Sequence, residues 1–228
     1  LNNYGSAFAH LVNIHYVTVQ DITYLQLQSI IDHMLSTGLS YSSCKKVRTL
    51  ISQLFDYAII NGWCSTNYAK FLNLGHNKPV RPHKPFTTQA INRLWRLSSP
   101  LHDIPLILLY TGMRASELIN LKARDVNRKQ RTIKITSAKT KSGIRTIPIH
   151  ERIWPIIERR LNTIYVVQEC RTYSSLSREF DKAMRAVNGK HTTHDCRHTF
   201  ATRLDNEGAN YNAKRLLLGH ASGNVTDG

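Results

Sequence analysis

The chain has 228 residues, 41% of them hydrophobic, which is enough for one large or two ordinary domains and argues against disorder. Its 31 lysine and arginine residues outnumber 15 aspartate and glutamate residues, so the formal net charge is +16. Neither a bilayer-spanning apolar run nor a signal peptide is visible, so we expect a cytoplasmic protein with no membrane partner. Because the first residue is Leu1 rather than Met, we expect a fragment of a longer protein.

The positive charge is distributed unevenly along the chain. Residues 1–82 contain six Lys/Arg against three Asp/Glu, whereas the remainder contains 25 against 12. This asymmetry predicts a polyanionic partner bound mainly by the second part, and nucleic acid fits best. A membrane surface is disfavoured because the cations are spread over helices, strands and turns rather than along one amphipathic face.

Cysteine and histidine usage predicts neither a disulfide framework nor a metal site. The four cysteines are scattered without a Cys-x-x-Cys pair, which is typical of a reducing compartment; they are Cys44, Cys64, Cys170 and Cys196. The crowded residues His191, His194, Cys196 and His198 match no common zinc-ligand spacing. We therefore expect no cofactor.

Apolar spacing predicts a small helical domain over residues 1–78. The first 20 residues show no firm period and suggest a strand-like or partly ordered lead-in. One helix is predicted from Asp21 to Gly38, and a second, capped by Ser42 or Ser43, ends at Asn61. Its cations Lys45, Lys46 and Arg48 could contact a DNA backbone or merely water.

Residues 79–85 are predicted to be a linker. Proline at 79, 82 and 85 disfavours regular structure. The neighbouring cations Lys78, Arg81 and Lys84 suit an extended segment lying along a polyanion, although a plain tether is the alternative.

Residues 86–228 predict a second domain that is mainly α with a small antiparallel β-sheet (α+β). Helices are predicted at 87–97, 104–110, 151–165 and 177–187, and alternating residues predict strands at 132–136 and 144–149. The strands are joined by a loop that carries Lys139 and Lys141, a tip that could enter a DNA groove or simply be a solubilising turn. Arg114 and Glu117 stand three residues apart, so the carboxylate can orient the guanidinium.

The stretch Thr193–Thr202, followed by Leu218-Gly219-His220, indicates an oxyanion site. Helical spacing puts His194 and Arg197 one turn apart on one face, and such a cation and imidazole suit a phosphate. Phe200, Leu204 and the leucines at 216–218 are expected on the buried side. A solvated basic helix with chance histidines is the alternative.

Taken in order, the Thr-Gly-Met-Arg114 segment, the lysine hairpin, His194-x-x-Arg197 and Gly219-His220 resemble the tyrosine recombinases, the phage integrase family. The resemblance covers essentially the whole chain. The first part looks like the helical core-binding (SAM-like) domain of integrases from conjugative transposons and related mobile elements, and residues 86–228 look like the catalytic domain.

This resemblance implies that a tyrosine attacks a DNA phosphodiester to give a 3′-phosphotyrosyl link, without ATP or metal. It implies that Arg114 and Arg197 clamp the phosphate, with Glu117 positioning Arg114. It implies that His194 assists proton transfer and that His220 binds the phosphate. It also implies that Lys139, with Lys141 as the alternative, protonates the leaving oxygen.

The implied partner is double-stranded DNA with recombination sites, bound by a homo-oligomer, most simply a tetramer, with accessory DNA-bending proteins as further candidates. The cations expected to contact DNA are Lys45, Lys46, Arg48, Lys78, Arg81, Lys84, Lys141 and Arg145.

The family's tyrosine follows the Gly-His motif by nine or ten residues, but residues 221–228 contain none. Tyr211 precedes the motif and does not fit. We therefore expect the nucleophile beyond Gly228, so that residues 1–228 bind DNA without cleaving it. A type IB topoisomerase, which uses a similar residue set, and a binding-only descendant of an integrase are the alternatives.

Overall fold

The structure, a computed structural model, describes residues 2–77, 84–97, 100–136 and 143–219. The chain divides into two compact units, residues 1–82 and 83–228. This division falls within the predicted linker at 79–85, of which only Lys84 and Pro85 are described. None of the helices in the described ranges is long and apolar enough to cross a membrane.

The described part of the first unit contains helices and no strands. Its helices are α1 (Asn2–Ala9), α2 (Tyr24–Ser36) and α3 (Tyr41–Ile60), with short 3₁₀ turns at Val12–Ile14 and Tyr68–Phe71. The predicted strand-like lead-in is therefore wrong. Ala7 and Leu11, buried in the same core as α3, supply tertiary packing that compensates for weak helix propensity.

Local sequence determines where α2 and α3 begin and end. The Thr23 hydroxyl accepts a hydrogen bond from the Gln26 backbone N–H, and the Thr23 N–H donates in turn to Gln26 Oε1, a reciprocal cap. The cap of α3 is Ser40 rather than Ser42 or Ser43. Along α3 the buried stripe includes Ile51 and Phe55, whereas Leu54 is 46% exposed.

The second unit contains seven α-helices and three strands among its described residues, besides short 3₁₀ turns. They are α4 (Thr88–Arg96), α5 (Asp103–Thr111), α6 (Ala115–Asn120), β1 (Val126–Asn127), β2 (Thr132–Ile135), β3 (Arg145–Pro148), α7 (Trp154–Glu158), α8 (Tyr173–Ala186), α9 (Thr193–Asn206) and α10 (Tyr211–Leu218). The fold class predicted from sequence, mainly α with a small antiparallel sheet, is confirmed.

Helix α5 is the centre of this unit, since every residue from Asp103 to Thr111 is buried. The strands pair antiparallel in the order β1-β2-β3, with Ile133 opposite Ile147 and Ile135 opposite Arg145. Short β1 was not predicted.

Two helix predictions in this unit had wrong bounds. The helix expected at 151–165 is confined to α7, because the following residues turn back toward the end of α6, where the Val166 N–H donates to the Leu121 carbonyl. Helix α8 begins at Tyr173, four residues before the predicted 177, because the Thr172 hydroxyl caps it.

Candidate functional site

The first turn of α9 is fixed by its own residues. The Thr192 hydroxyl accepts from the Asp195 N–H at 3.3 Å, and the Asp195 carboxylate accepts from the Thr192 N–H at 2.7 Å. This reciprocal cap determines the direction of the helix, which places His194 at the surface and Arg197 inside. The Thr199 hydroxyl, two residues after Arg197, accepts a hydrogen bond from the Phe86 N–H at 2.8 Å. This bond connects the start of the second unit to α9.

Arg197 is held by backbone carbonyls and is only 6% exposed. Its Nη1 donates to the Gly112 carbonyl at 2.9 Å, and its Nη2 donates to the Leu218 carbonyl at the end of α10. Burial, together with the positive charge of Arg114, lowers the pKa of the Arg197 guanidinium to about 10. The group stays protonated at neutral pH, but its charge is costly, and an anion arriving beside it would offset that cost.

Gly112 allows α5 and α9 to approach each other closely. It has φ +63°, a left-handed conformation that suits glycine, and it ends α5. A Cβ atom at this position would lie 2.9 Å from Cγ of Phe200. The backbone that bonds Arg197 therefore depends on the absence of a side chain at 112.

Glu117 anchors Arg114 from one turn further along. Its carboxylate accepts from the Arg114 backbone N–H at 2.9 Å and from Arg114 Nη1 at 2.8 Å. Burial by itself would raise the pKa of Glu117, but hydrogen bonds from Arg145 and Arg114 and the charge of Arg145 hold it below its usual value. Arg114 remains part-exposed beside this fixed carboxylate.

The prediction that Arg145 contacts DNA is at odds with its burial, since the residue is 8% exposed. Its guanidinium makes a two-pronged pair with Glu117, through Nη1 at 3.0 Å and Nη2 at 2.8 Å. The signal was in the strand alternation: Arg145 and Ile147 share the inward face of β3, while Ile144 before the strand is exposed.

Three of the predicted site residues, Arg114, His194 and Arg197, line one cleft of about 300 Å³. Tyr173, at the first turn of α8, lines it too and was missed, since nothing local in the sequence links it to the others. Guanidinium groups and an imidazole around an open cleft suit a phosphodiester, because they supply hydrogen-bond donors to its charged oxygens. Within the described residues no cluster of His, Cys, Asp or Glu could hold a metal ion.

The remaining predicted residues divide into two groups. Lys45 and Lys46 are exposed on α3, Arg48 is half-buried beside them, and Lys84 is exposed. Lys78, Arg81, Lys139, Lys141 and His220 lie outside the described residues. Of the leucines expected inside at 216–218, Leu218 is buried, but Leu216 is 72% exposed.

Comparisons with known proteins point to one family. Residues 89–228 match the phage integrase family. Over 236 aligned residues the chain is 24% identical to tyrosine recombinase XerD of Pasteurella multocida (strain Pm70), covering 92% of this chain and 78% of the relative.

Two solved structures have a similar fold. One is the Tn1549 transposon integrase in complex with a circular intermediate DNA, at TM-score 0.81 and 21% identity, covering 96% of this chain and 86% of that one. The other is a lambda integrase tetramer bound to a Holliday junction, at TM-score 0.79 and 19% identity, covering 100% and 73%. With the family match spanning more than half of its length, the chain belongs to the phage integrase family of tyrosine recombinases.

Proposed function

We propose that this protein is a site-specific DNA recombinase that cuts and rejoins strands through a 3′-phosphotyrosyl intermediate. The observation that carries the proposal is the cleft shared by Arg114, His194 and Arg197. In a protein of the phage integrase family, this arrangement matches what attack on a phosphodiester requires, since charge develops on the non-bridging oxygens in the transition state.

The two arginines carry most of the electrostatic stabilisation in this proposal. Arg197 is immobilised by two carbonyls and Arg114 by Glu117, so neither has to reorganise when negative charge accumulates. We assign to His194, exposed at the same cleft, the assistance of proton transfer from the nucleophile.

The chemistry balances without an added cofactor. The tyrosine hydroxyl passes its proton to His194 as its oxygen bonds to phosphorus, the bond from phosphorus to the 5′ oxygen breaks, and a proton from Lys139 or Lys141 completes the 5′-hydroxyl. His220 adds a hydrogen bond to the scissile phosphate.

Binding to duplex DNA is assigned to both units. Exposed Lys45 and Lys46 on α3, with Lys78, Arg81 and Lys84 further along, supply sequence-independent phosphate contacts. Because the similar lambda integrase structure is a tetramer on a Holliday junction, we propose a tetramer for this protein as well. We also propose action in the cytoplasm on the DNA of a mobile element, with accessory DNA-bending proteins as optional partners.

A plasmid carrying two copies of the junction DNA of the encoding element would test the proposal. Incubated with the complete gene product, it should yield two circles or an inverted segment, depending on site orientation. Relaxation of supercoils without any exchange would instead establish the topoisomerase alternative. Tight binding with neither reaction would establish a binding-only descendant.

A further inference from the structure

Tyr173 brings an exposed aromatic side chain to the wall of the cleft. It lines the cleft together with Arg114, His194 and Arg197, and it is 61% exposed. No hydrogen bond, ion pair or aromatic contact of its side chain is found among the described residues. An amphipathic ring with a polar tip, left without such partners at an open site, suits contact with a ligand better than support of the fold.

The backbone that carries Tyr173 is fixed from both sides. The Thr172 hydroxyl accepts a hydrogen bond from the Ser175 N–H at 3.1 Å, and the Ser175 hydroxyl accepts one from the Thr172 N–H at 3.1 Å. The Arg171 guanidinium donates to the Ile119 carbonyl, which ties the start of α8 to α6. Side chains on a helix lean toward its N-terminus, which directs a residue at the first position beyond the helix start. The place of Tyr173 in the cleft wall is therefore set before any ligand arrives.

The chemistry of the cleft indicates what this side chain would meet. The non-bridging oxygens of a phosphodiester accept hydrogen bonds, and a tyrosine hydroxyl can donate one, as tyrosines do to DNA backbones. Consecutive phosphates of one strand follow about every 3.4 Å along the duplex axis. A strand whose scissile phosphate lies at Arg114 and Arg197 therefore brings a neighbouring phosphate to the cleft wall as well.

We propose that Tyr173 binds the DNA backbone, its hydroxyl donating a hydrogen bond to a phosphate next to the scissile one. The inference rests on the proposed function, since it names a second phosphate that the same cleft would hold. The contact sets the register of the strand, so that the scissile phosphate rather than a neighbour lies at Arg114 and Arg197. Tyr173 forms no covalent bond in this role, and the nucleophile is a different tyrosine.

Paired changes in the protein and in the DNA test this contact. Tyr173→Phe removes the hydroxyl and keeps the ring, and a methylphosphonate removes one charged oxygen from one chosen phosphate. If these two groups bond to each other, their losses in affinity do not add, because the loss of either partner already removes the bond. The measurement is binding of the complete gene product to the junction duplex, with one methylphosphonate at a time on either side of the cleavage point.

Tyr211→Phe is the matched control. Tyr211 is also the first residue of a helix in this unit and is 67% exposed, but it does not line the cleft. We expect Tyr173→Phe to weaken binding about three- to tenfold. A methylphosphonate at one neighbouring phosphate should weaken wild-type binding by a similar factor, but should weaken binding of this variant by less than about twofold. In Tyr211→Phe every methylphosphonate should keep its wild-type effect.

Covalent trapping on the same duplex separates failure of this inference from failure of the proposed function. Wild-type protein that neither binds nor forms an adduct would overturn the proposed function. Additive losses at every phosphate tested, in a wild-type protein that does cleave, would overturn the Tyr173 contact while the function stands. At saturating protein we expect Tyr173→Phe to form the adduct within about tenfold of the wild-type rate, because the contact is made before as well as during cleavage. Complete loss of the adduct in this variant would make Tyr173 the nucleophile and overturn the assignment.

Discussion

The two units differ in where they keep their polar groups. In the described part of the first unit, Asn67 is the only polar residue that is buried, and no charged residue is buried. The second unit buries many more, namely Asp103, Thr111, Glu117, Arg145, Asp195, Arg197 and Thr199. Burying charge is costly unless it is paired and hydrogen-bonded, so the second unit must gain something in return.

In the second unit, the buried polar groups hold the side chains at the cleft in a fixed geometry. Surface cations such as Lys45 and Lys46 can neutralise a DNA backbone while remaining mobile. Arg197 and the carboxylate of Glu117 are immobilised before any substrate arrives, which is what stabilisation of a transition state requires. Exposed charge can supply affinity, whereas rate requires charge that is held in place by its neighbours, as Arg197 is by backbone carbonyls and Arg114 is by Glu117.

The largest expected effect is on stability, from Glu117→Gln. The change leaves the buried Arg145 charge uncompensated, which should lower the free energy of unfolding of the second unit by about 3 to 5 kcal/mol. Asp32→Asn, at an exposed carboxylate of the first unit, should change stability by less than about 0.5 kcal/mol. Urea unfolding followed by tryptophan fluorescence measures both, since Trp95 and Trp154 report the second unit and Trp63 the first. If both variants lost the same small amount of stability, the two units would not differ in their dependence on buried charge.

The same carboxylate should make the second unit sensitive to acid. The pKa of Glu117 in the folded protein is below its usual value of 4.5, so its contribution is fully present above pH 4.5. It should be lost as the pH falls through the lower folded value. Stability measured from pH 7 to pH 3 should therefore fall more steeply in the wild type than in Glu117→Gln. Parallel curves would show that Glu117 contributes nothing through its charge.

Arg197→Ala should separate rate from affinity. Removing one donor to a developing oxyanion costs about 100- to 1,000-fold in rate, whereas ground-state DNA binding should stay within about threefold. Lys45→Ala with Lys46→Ala should do the reverse, weakening binding and reducing its salt dependence by about one unit of slope per contact. Single-turnover cleavage and binding titrations at several salt concentrations measure the two effects. A variant lacking Arg197 that cleaves normally would place the residue outside the site.

Gly112→Ala should cost about 2 to 4 kcal/mol, because left-handed backbone strain is added to a collision with Phe200. Gly38→Ala in the first unit is the matched control. Its φ is +81°, but no atom lies within 4 Å of a Cβ there, so strain of about 1 kcal/mol should be its whole cost. Thermal unfolding measures both variants. If they lose the same stability, the close approach of α5 and α9 is not tight.

The smallest effect is stabilisation by a simple anion. Sulfate at about ten times its dissociation constant should add about 1.4 kcal/mol to the second unit, a rise in Tm of about 3 to 5 °C. The rise should disappear in Arg197→Ala, with sodium chloride at equal ionic strength as the control. A rise that survives this change would indicate a different anion site.

Sequence reasoning succeeded where one local cause dominated. The helix predicted at 104–110, observed as α5, and the pairing of Arg114 with Glu117 both follow from neighbours in the chain. It failed where tertiary contacts decided the outcome. The alternation of β3 puts Arg145 on the inward face, but only the fold brings Glu117 to it as a partner, and Tyr173 joins the cleft because α8 packs against α5 and α6.

The measurement that tests the central claim most directly is covalent trapping on a nicked duplex, in which loss of a short fragment prevents rejoining. The complete gene product should form a protein–DNA adduct linked through a tyrosine to a 3′ phosphate, and Arg197→Ala should reduce its yield at early times by about 100-fold or more. Residues 1–228 should bind the same duplex without forming the adduct. Tight binding by the complete product with no adduct, on a duplex carrying the element's own junction, would contradict the assignment of this cleft to strand cleavage.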